Sequence, residues 1–380
     1  MRIVIVGAGA WGLPAAAELQ SRGHEVTLVD RYGIGHALGS SSGPTRLWRL
    51  ADPDPVKVRL MRRSLDAMRR LESRSGRRVF IRRGLLWRDD VGLERVDATL
   101  DGEGVERTAV SAGDVGRFFP GLRPDGRDAL WTADGGSVLA AESIAAQAAL
   151  FATNGGTAVS GRVVAAIENA GADRRVVFRE GPSLDADVVV LAPGPGAAPL
   201  LAGLGVDLPL LPVLEQVVHV GDPDAPGRTD DLPGFIDAPR GDEPGLYAMP
   251  TPGVGYKIGI DAAIRDWAED DLDREPSARR TEETLERVRR DFPGLTPTAL
   301  DAAVCSWTAS PDGRFVIDVI DGVVIACGDS GSGFKFSAAM GQILADLAEG
   351  GRADDDVASL GLARFDGAPP RAVPRSLFDV

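Results

Sequence analysis

The sequence predicts an α/β protein in which a parallel sheet of the dinucleotide-binding kind is interwoven with an α+β domain built on a mostly antiparallel sheet. Three observations carry this. The first thirty residues read strand, glycine turn, helix, strand; a second buried strand runs into glycines at 187–196; and a strand, glycine loop and helix recur at 323–347. These units stand at the beginning, middle and end of the chain, with short strands divided by Pro and Gly between them, so the two domains must interleave. The expected division is 1–78, 140–212 and 302–365 for the dinucleotide domain, 79–139 and 213–301 for the second domain, and 366–380 as a surface-bound tail.

In the opening unit an apolar, β-branched run, Arg2 to Val6, breaks into Gly7-Ala-Gly9-Ala-Trp-Gly12 and continues as an alanine-rich helical pattern to Arg22. It turns at Gly23 and returns as Val26 to Val29, ending in Asp30. The three glycines serve different ends. Gly7 makes the tight turn, Gly9 admits a pyrophosphate to the backbone, and Gly12 lets the helix lie close to the strand. The phosphates would rest on the helix N-terminus, and Asp30 is placed to accept from a ribose diol. A glycine turn kept for packing would read similarly, and the segment alone does not choose between FAD and a nicotinamide.

Composition narrows the class. At 380 residues, 44% hydrophobic and 26% charged, the chain has room for two cores, and no apolar run reaches the length of a membrane span. No basic leader precedes an apolar stretch, so a cytoplasmic protein is expected. A net charge of −14 argues against nucleic acid as a partner. Two cysteines, Cys305 and Cys327, and three scattered histidines leave no basis for a disulfide framework or a metal site, and none is expected.

Of the 42 basic residues, all but Lys57, Lys257 and Lys335 are arginine. A chain that uses arginine almost everywhere and keeps a lysine in a glycine-rich apolar setting points to a need for a compact ammonium there. Lys257 (Gly255-Tyr-Lys-Ile-Gly259) and Lys335 (Gly333-Phe-Lys-Phe) fit that description; Lys57, in an arginine-rich amphipathic helix, does not.

Along the chain, the polar stretch from Gly39 to Arg49 reads as a loop wrapped around a planar or anionic group, or as a solvated loop with stray arginines. An amphipathic helix is expected from Pro55 to Ser75, further helices at 141–153, 277–292 and 336–347, and strands at 79–81, 85–87, 157–160, 163–167, 176–178 and 187–191.

Four blocks, GAGAWG with Asp30, GSSSGPTRLWR at 39–49, LYAMPTPGVGYKIG at 246–259, and AVCSWTASPDGRFVID through GDSGSGFKF at 303–336, together resemble the flavin-dependent amine oxidases of the glutathione-reductase-like superfamily. The likeness is to the monomeric sarcosine oxidase and N-methyltryptophan oxidase type, and it spans nearly the whole chain. It implies a Rossmann-like domain binding FAD in extended form, with cofactor contacts at Ser41, Ser42, Thr45, Val163, Gly194, Gly331, Gly333 and Phe334 beside the first glycines. Cys305 matches the cysteine bonded in that family to the flavin 8-methyl carbon, although a lone cysteine by itself reads as a small buried hydrophobe; Cys327 is read as core.

The resemblance further implies that Arg49 and Lys335 hold a substrate carboxylate, fixing the adjacent C–H over the flavin. Arg46 would lie against the flavin, Tyr247 would border the substrate pocket, and Lys257 would activate oxygen by stabilising the anion made when oxygen takes its first electron. Two positions depart from the sarcosine oxidases: Asp261 and Ser332 stand where they carry histidines. Asp261 either faces the pocket or faces solvent, and Ser332 is expected on the substrate side. The expected activity is oxidation of the C–N bond of a secondary (N-methyl) or other amino acid to an imine, with O2 reduced to hydrogen peroxide. A cyclic or primary amino-acid oxidase, an amine dehydrogenase with another acceptor, a nicotinamide dehydrogenase and a non-catalytic flavin binder are the rival readings. The expected partners are a small amine or amino acid and O2, with the chain a monomer or weak homo-oligomer.

Overall fold

The computed structural model describes residues 1–366 together with Val373, Pro374 and Ser376; the rest of the tail expected at 366–380 lies outside the described residues. A six-stranded sheet runs in the order Val316–Ile320, Val323–Cys327, Val188–Leu191, Arg2–Val6, Glu25–Asp30, Thr157–Ser160. Its pairings are parallel except at the Val316–Ile320 edge. The inner strands bury residues on both faces, as in Ile3-Val4-Ile5-Val6, which is why they read as unbroken apolar runs. Each such side chain stabilises the fold by roughly 1.5–3 kcal/mol. The helices Gly12–Ser21, Ala140–Thr153 and Ser337–Ala348 share one core, and a three-stranded antiparallel sheet, Val164–Ala170, Asp173–Phe178 and Leu184–Ala186, contributes to a second.

The other large sheet has nine strands and is antiparallel except where Gly234–Asp237 runs parallel to Leu85–Arg88. Near one end Leu211–Val220 pairs on one side with Gly255–Ile260 and also along its length with Ala299–Ala309. The boundary expected at 302 therefore falls inside a strand: Ala299–Ala309, Cys305 included, pairs within this sheet apart from an irregularity at Leu300. One row of direct partners crosses the sheet as Trp87, Ile236, Tyr247, Gly259 and Val217.

Two local expectations change. Half of the loop expected at 39–49 is a strand, Thr45–Arg49, because its Thr-Arg-Leu-Trp-Arg alternation pairs with Gly135–Leu139 and places Leu47 and Trp48 in the core. The helix Leu93–Gly102 has no counterpart among the expected elements; its spaced Val96 and Leu100 are the only buried side chains it offers. The helix Pro55–Ser75 stands as expected, capped by Asp54, whose carboxylate accepts from the N–H of Val56 at 2.9 Å, and closed by Gly76 in the left-handed region. Among the described residues no helix is long and apolar enough to cross a membrane.

Candidate functional site: a glycine-lined cavity between the two sheets

A cavity of 690 Å³ runs from the Asp30 end of the parallel sheet to the face of the antiparallel one. At its first end Gly7 has φ +102°, and a Cβ there would stand 2.2 Å from the carbonyl oxygen of Ala192; a Cβ on Gly12 would strike the Gly7 carbonyl at 1.9 Å. A side chain at either position is therefore excluded by backbone. The helix Gly12–Ser21 has no side-chain cap, which leaves its first turn available to an anion. Ser41 Oγ accepts from the N–H of Ala10 at 2.8 Å, tying the second glycine segment to the first. Asp30 accepts from the N–H groups of Ala8, Tyr32 and Gly33 at 2.7–2.8 Å and borders the cavity. A long cleft with a side-chain-free turn, an uncapped helix start and a carboxylate beyond it suits an extended dinucleotide.

Most of the sequence-expected residues come together on this cavity. Gly7, Gly9, Asp30, Ser41, Val163 and Gly194 line its cofactor end; Arg46, Arg49, Tyr247, Cys305, Ser332 and Lys335 line the other, with Gly331, Gly333 and Phe334. Arg46 donates to the carbonyls of Ser40, Ser42 and Thr45 and sits 5.5 Å from the Phe334 ring centre. Arg49 lies 4.7 Å over Trp87 and pairs with the buried Asp52 at 2.9 Å. Burial opposes the charge on Asp52, yet Arg49 and Lys57 hold its carboxyl below the usual range. Lys335 is buried on the turn Gly333–Phe336, whose carbonyl at Lys335 accepts from Ser64 of the long helix. Burial and then the neighbouring Arg49 push its ammonium well below the usual lysine value.

Five expected residues do not line the cavity. Gly12 and Ser42 support the turns behind it, and Thr45 is buried with its hydroxyl 2.6 Å from that of Thr251. Lys257 is turned into the sheet interface, its Nζ donating to the carbonyl of Thr45; burial and Arg46 push it well below the ordinary lysine value. Asp261 is a correction to both of its expected placements. The strand ends at Ile260, the Asp261 N–H donates to the Gly245 carbonyl at 2.9 Å, and the side chain accepts from Ser376, so it is buried away from cavity and solvent alike.

Sequence reasoning missed Glu215. It borders the cavity, is 3% exposed, and accepts from the Tyr247 hydroxyl at 2.7 Å and the Trp307 indole N–H at 2.9 Å. Burial pushes its carboxyl up against those two donors. The one signal for it was a single acid among apolar neighbours in Leu211–Val220. Asp329 was missed too: it accepts from the N–H groups of Thr308 and Gly331, and burial pushes its carboxyl up to about 6. Cys305 is half-buried on the cavity wall opposite Glu215 in register, with burial raising its thiol and Arg46 opposing; Cys327 belongs to the second core.

These features define a protein built to hold a dinucleotide across two sheets with a cation-rich far end, and the chain belongs to the FAD dependent oxidoreductase family, whose model matches residues 2–347. It is 27% identical over 95% of its length to the monomeric sarcosine oxidase of Bacillus sp. (strain B-0618), covering 95% of that protein. It is equally 27% identical to the human peroxisomal sarcosine oxidase, with 95% of both chains covered. Among solved structures, the open form of NikD, described as an unusual amino acid oxidase essential for nikkomycin biosynthesis, shares the fold with a TM-score of 0.82 at 24% identity, over 94% of this chain and 96% of that one.

Proposed function

We propose that the protein oxidises the C–N bond of a secondary (N-methyl) or other amino acid to an imine, which water hydrolyses, and that O2 takes the electrons to give hydrogen peroxide. Bound FAD supplies the two-electron acceptor for this chemistry. The residues that fit it are Gly7, Gly9, Ser41, Val163 and Gly194 along its length, with Asp30 toward the ribose and Cys305 as the point of covalent attachment. The observation that carries the reading is the pair of cations, Arg49 and Lys335, on one end of the cavity.

Arg49 is pre-organised for a carboxylate because Trp87 and Asp52 fix its plane before substrate arrives. Lys335 adds donors from a second direction. Tyr247 forms the pocket wall and Ser332 leaves room where a larger side chain would stand. An amine bound neutral needs no strong base on the protein. Lys257 serves oxygen from behind the wall. Its depressed basicity and its turn toward Thr45 favour a second reading, an amine dehydrogenase that hands its electrons to another acceptor. A cytoplasmic monomer or weak homo-oligomer completes the proposal.

The test is anaerobic addition of N-methyl, cyclic and primary amino acids to the yellow holoenzyme, followed by air. Bleaching and rapid recovery with peroxide supports the oxidase. Bleaching with slow recovery gives the dehydrogenase, and no bleaching with any amine removes both.

A further inference from the structure

Glu215 is a carboxylate of the cavity's far wall for which C–N oxidation has no use. It lies on a strand whose Val213, Leu214, Val217 and Val218 are all buried. A carboxylate removed from water needs donors or a cation in exchange. Glu215 has two neutral donors, Tyr247 and Trp307. The two cations that act on it at range are engaged elsewhere: Arg280 with Glu283 and the carbonyl of Ala262, and Arg46 with three backbone carbonyls. Its carboxyl borders the cavity, where a cation held there would meet it.

The position of Glu215 relative to the carboxylate clamp adds a second, independent constraint. Arg49 lies over Trp87 at one end of the row Trp87, Ile236, Tyr247, Gly259, Val217, and the Tyr247 hydroxyl reaches across Gly259 to Glu215 at the other. The row covers four strand spacings, roughly 19 Å between its end backbones. A molecule that meets both groups is therefore extended, as an amino acid with a long side chain ending in a charged group is.

We infer that Glu215 determines the charge class of the substrate: the pocket takes amino acids whose side chain ends in an ammonium or guanidinium, with the carboxylate on Arg49 and Lys335 and the distal cation on Glu215. This rests on the amino-acid C–N oxidation reading. Ile236 and the Tyr247 ring supply the apolar wall along which the side chain's methylenes lie. A side chain ending in a carboxylate meets like charge and is rejected.

The test is equilibrium binding of three chain-matched probes to the holoenzyme, read from the perturbation of its visible flavin spectrum: caproate, its ω-amino analogue, and adipate, the dicarboxylate of the same carbon count. The ω-amino probe is expected to bind about tenfold more tightly than caproate, and adipate most weakly. In Glu215→Gln the advantage of the ω-amino probe should shrink to within about twofold while caproate binding persists. Equal binding of the three probes by the wild type, or an advantage that survives in Glu215→Gln, overturns the inference and leaves the oxidase reading standing. If Glu215→Gln does not fold, the wild-type ranking decides alone. A bound flavin that responds to no carboxylate overturns the clamp and the inference together.

Discussion

The ring of Tyr247 lies flat over Gly259, its direct partner on the neighbouring strand: a Cβ at 259 would stand 2.4 Å from Tyr247 Cζ and 2.6 Å from its hydroxyl oxygen. Only the missing side chain lets the hydroxyl cross that strand and reach Glu215. Gly259→Ala should therefore move the ring while leaving the sheet paired. The expected outcome is unchanged flavin content with kcat/KM lowered by about tenfold to a hundredfold, since displacements near 1 Å at a positioning group have effects of that order. Steady-state kinetics with the best amino-acid substrate checks it; an unchanged kcat/KM would mean that Tyr247 does not border the reacting substrate.

The two cysteines both border the cavity and differ in burial. Cys305 is half-buried on its wall, and Cys327 is packed into a core where burial pushes its thiol up to about 12. Acid precipitation of the wild type is expected to carry the yellow colour into the pellet. Cys305→Ser should release it to the supernatant, and Cys327→Ser should not. Colour in the wild-type supernatant would remove the covalent link and keep the flavin.

The glycine unit was legible because its logic is local: Gly7, Gly9, Gly12 and Asp30 lie within a single strand, helix, strand unit. Cys305, Arg49 and Lys335 were legible through blocks whose spacing survives in one chain. Glu215 was not, because its meaning comes from Tyr247, 32 residues on, and Trp307, 92 residues on, and strand pairing alone brings them together. Asp261 failed for the same reason. Its partner Ser376 is 115 residues away, and no local pattern records that a late segment covers the end of a strand. The join expected at 302 falls within Ala299–Ala309, whose partner strand Leu211–Val220 is far off in sequence.

His219 gives the acid side of the stability curve a specific shape. It is buried beside Lys257 in register, 3.2 Å from Thr251 Oγ1, and burial followed by the Lys257 charge lowers its imidazole to about 4. Between pH 6.5 and about 4 the unfolded chain holds a proton that folded His219 refuses, so this contribution is complete above 6.5 and is lost as the pH falls toward 4. Asp329, raised to about 6, acts in the opposite sense: its contribution is present at low pH and lost as the pH rises through 6. Comparing His219→Gln with the wild type isolates the histidine. Denaturant unfolding of the variant should lose roughly 2 kcal/mol less than the wild type between about pH 7 and pH 4.5. Parallel curves would show that the imidazole remains solvated.

Arg88 and Asp237 are both fully buried and paired through two hydrogen bonds of 3.0 Å, with Arg127 and Arg287 also reaching the same carboxylate. The strand carrying Asp237 also carries Ile236 of the cavity row, so the cluster anchors the sheet beneath the pocket without entering it. Removing one charge from such a group leaves the others desolvated and unmatched. Asp237→Asn is expected to cost about 3–5 kcal/mol of unfolding free energy. The same change at Asp187, whose pair with Arg2 is open to solvent, should leave the melting temperature where it is, because water and salt screen that pair. Thermal melts of the two variants side by side decide the matter. If Asp237→Asn melts with the wild type, the arginines around it have found water or another acceptor, and the sheet does not depend on the buried charge.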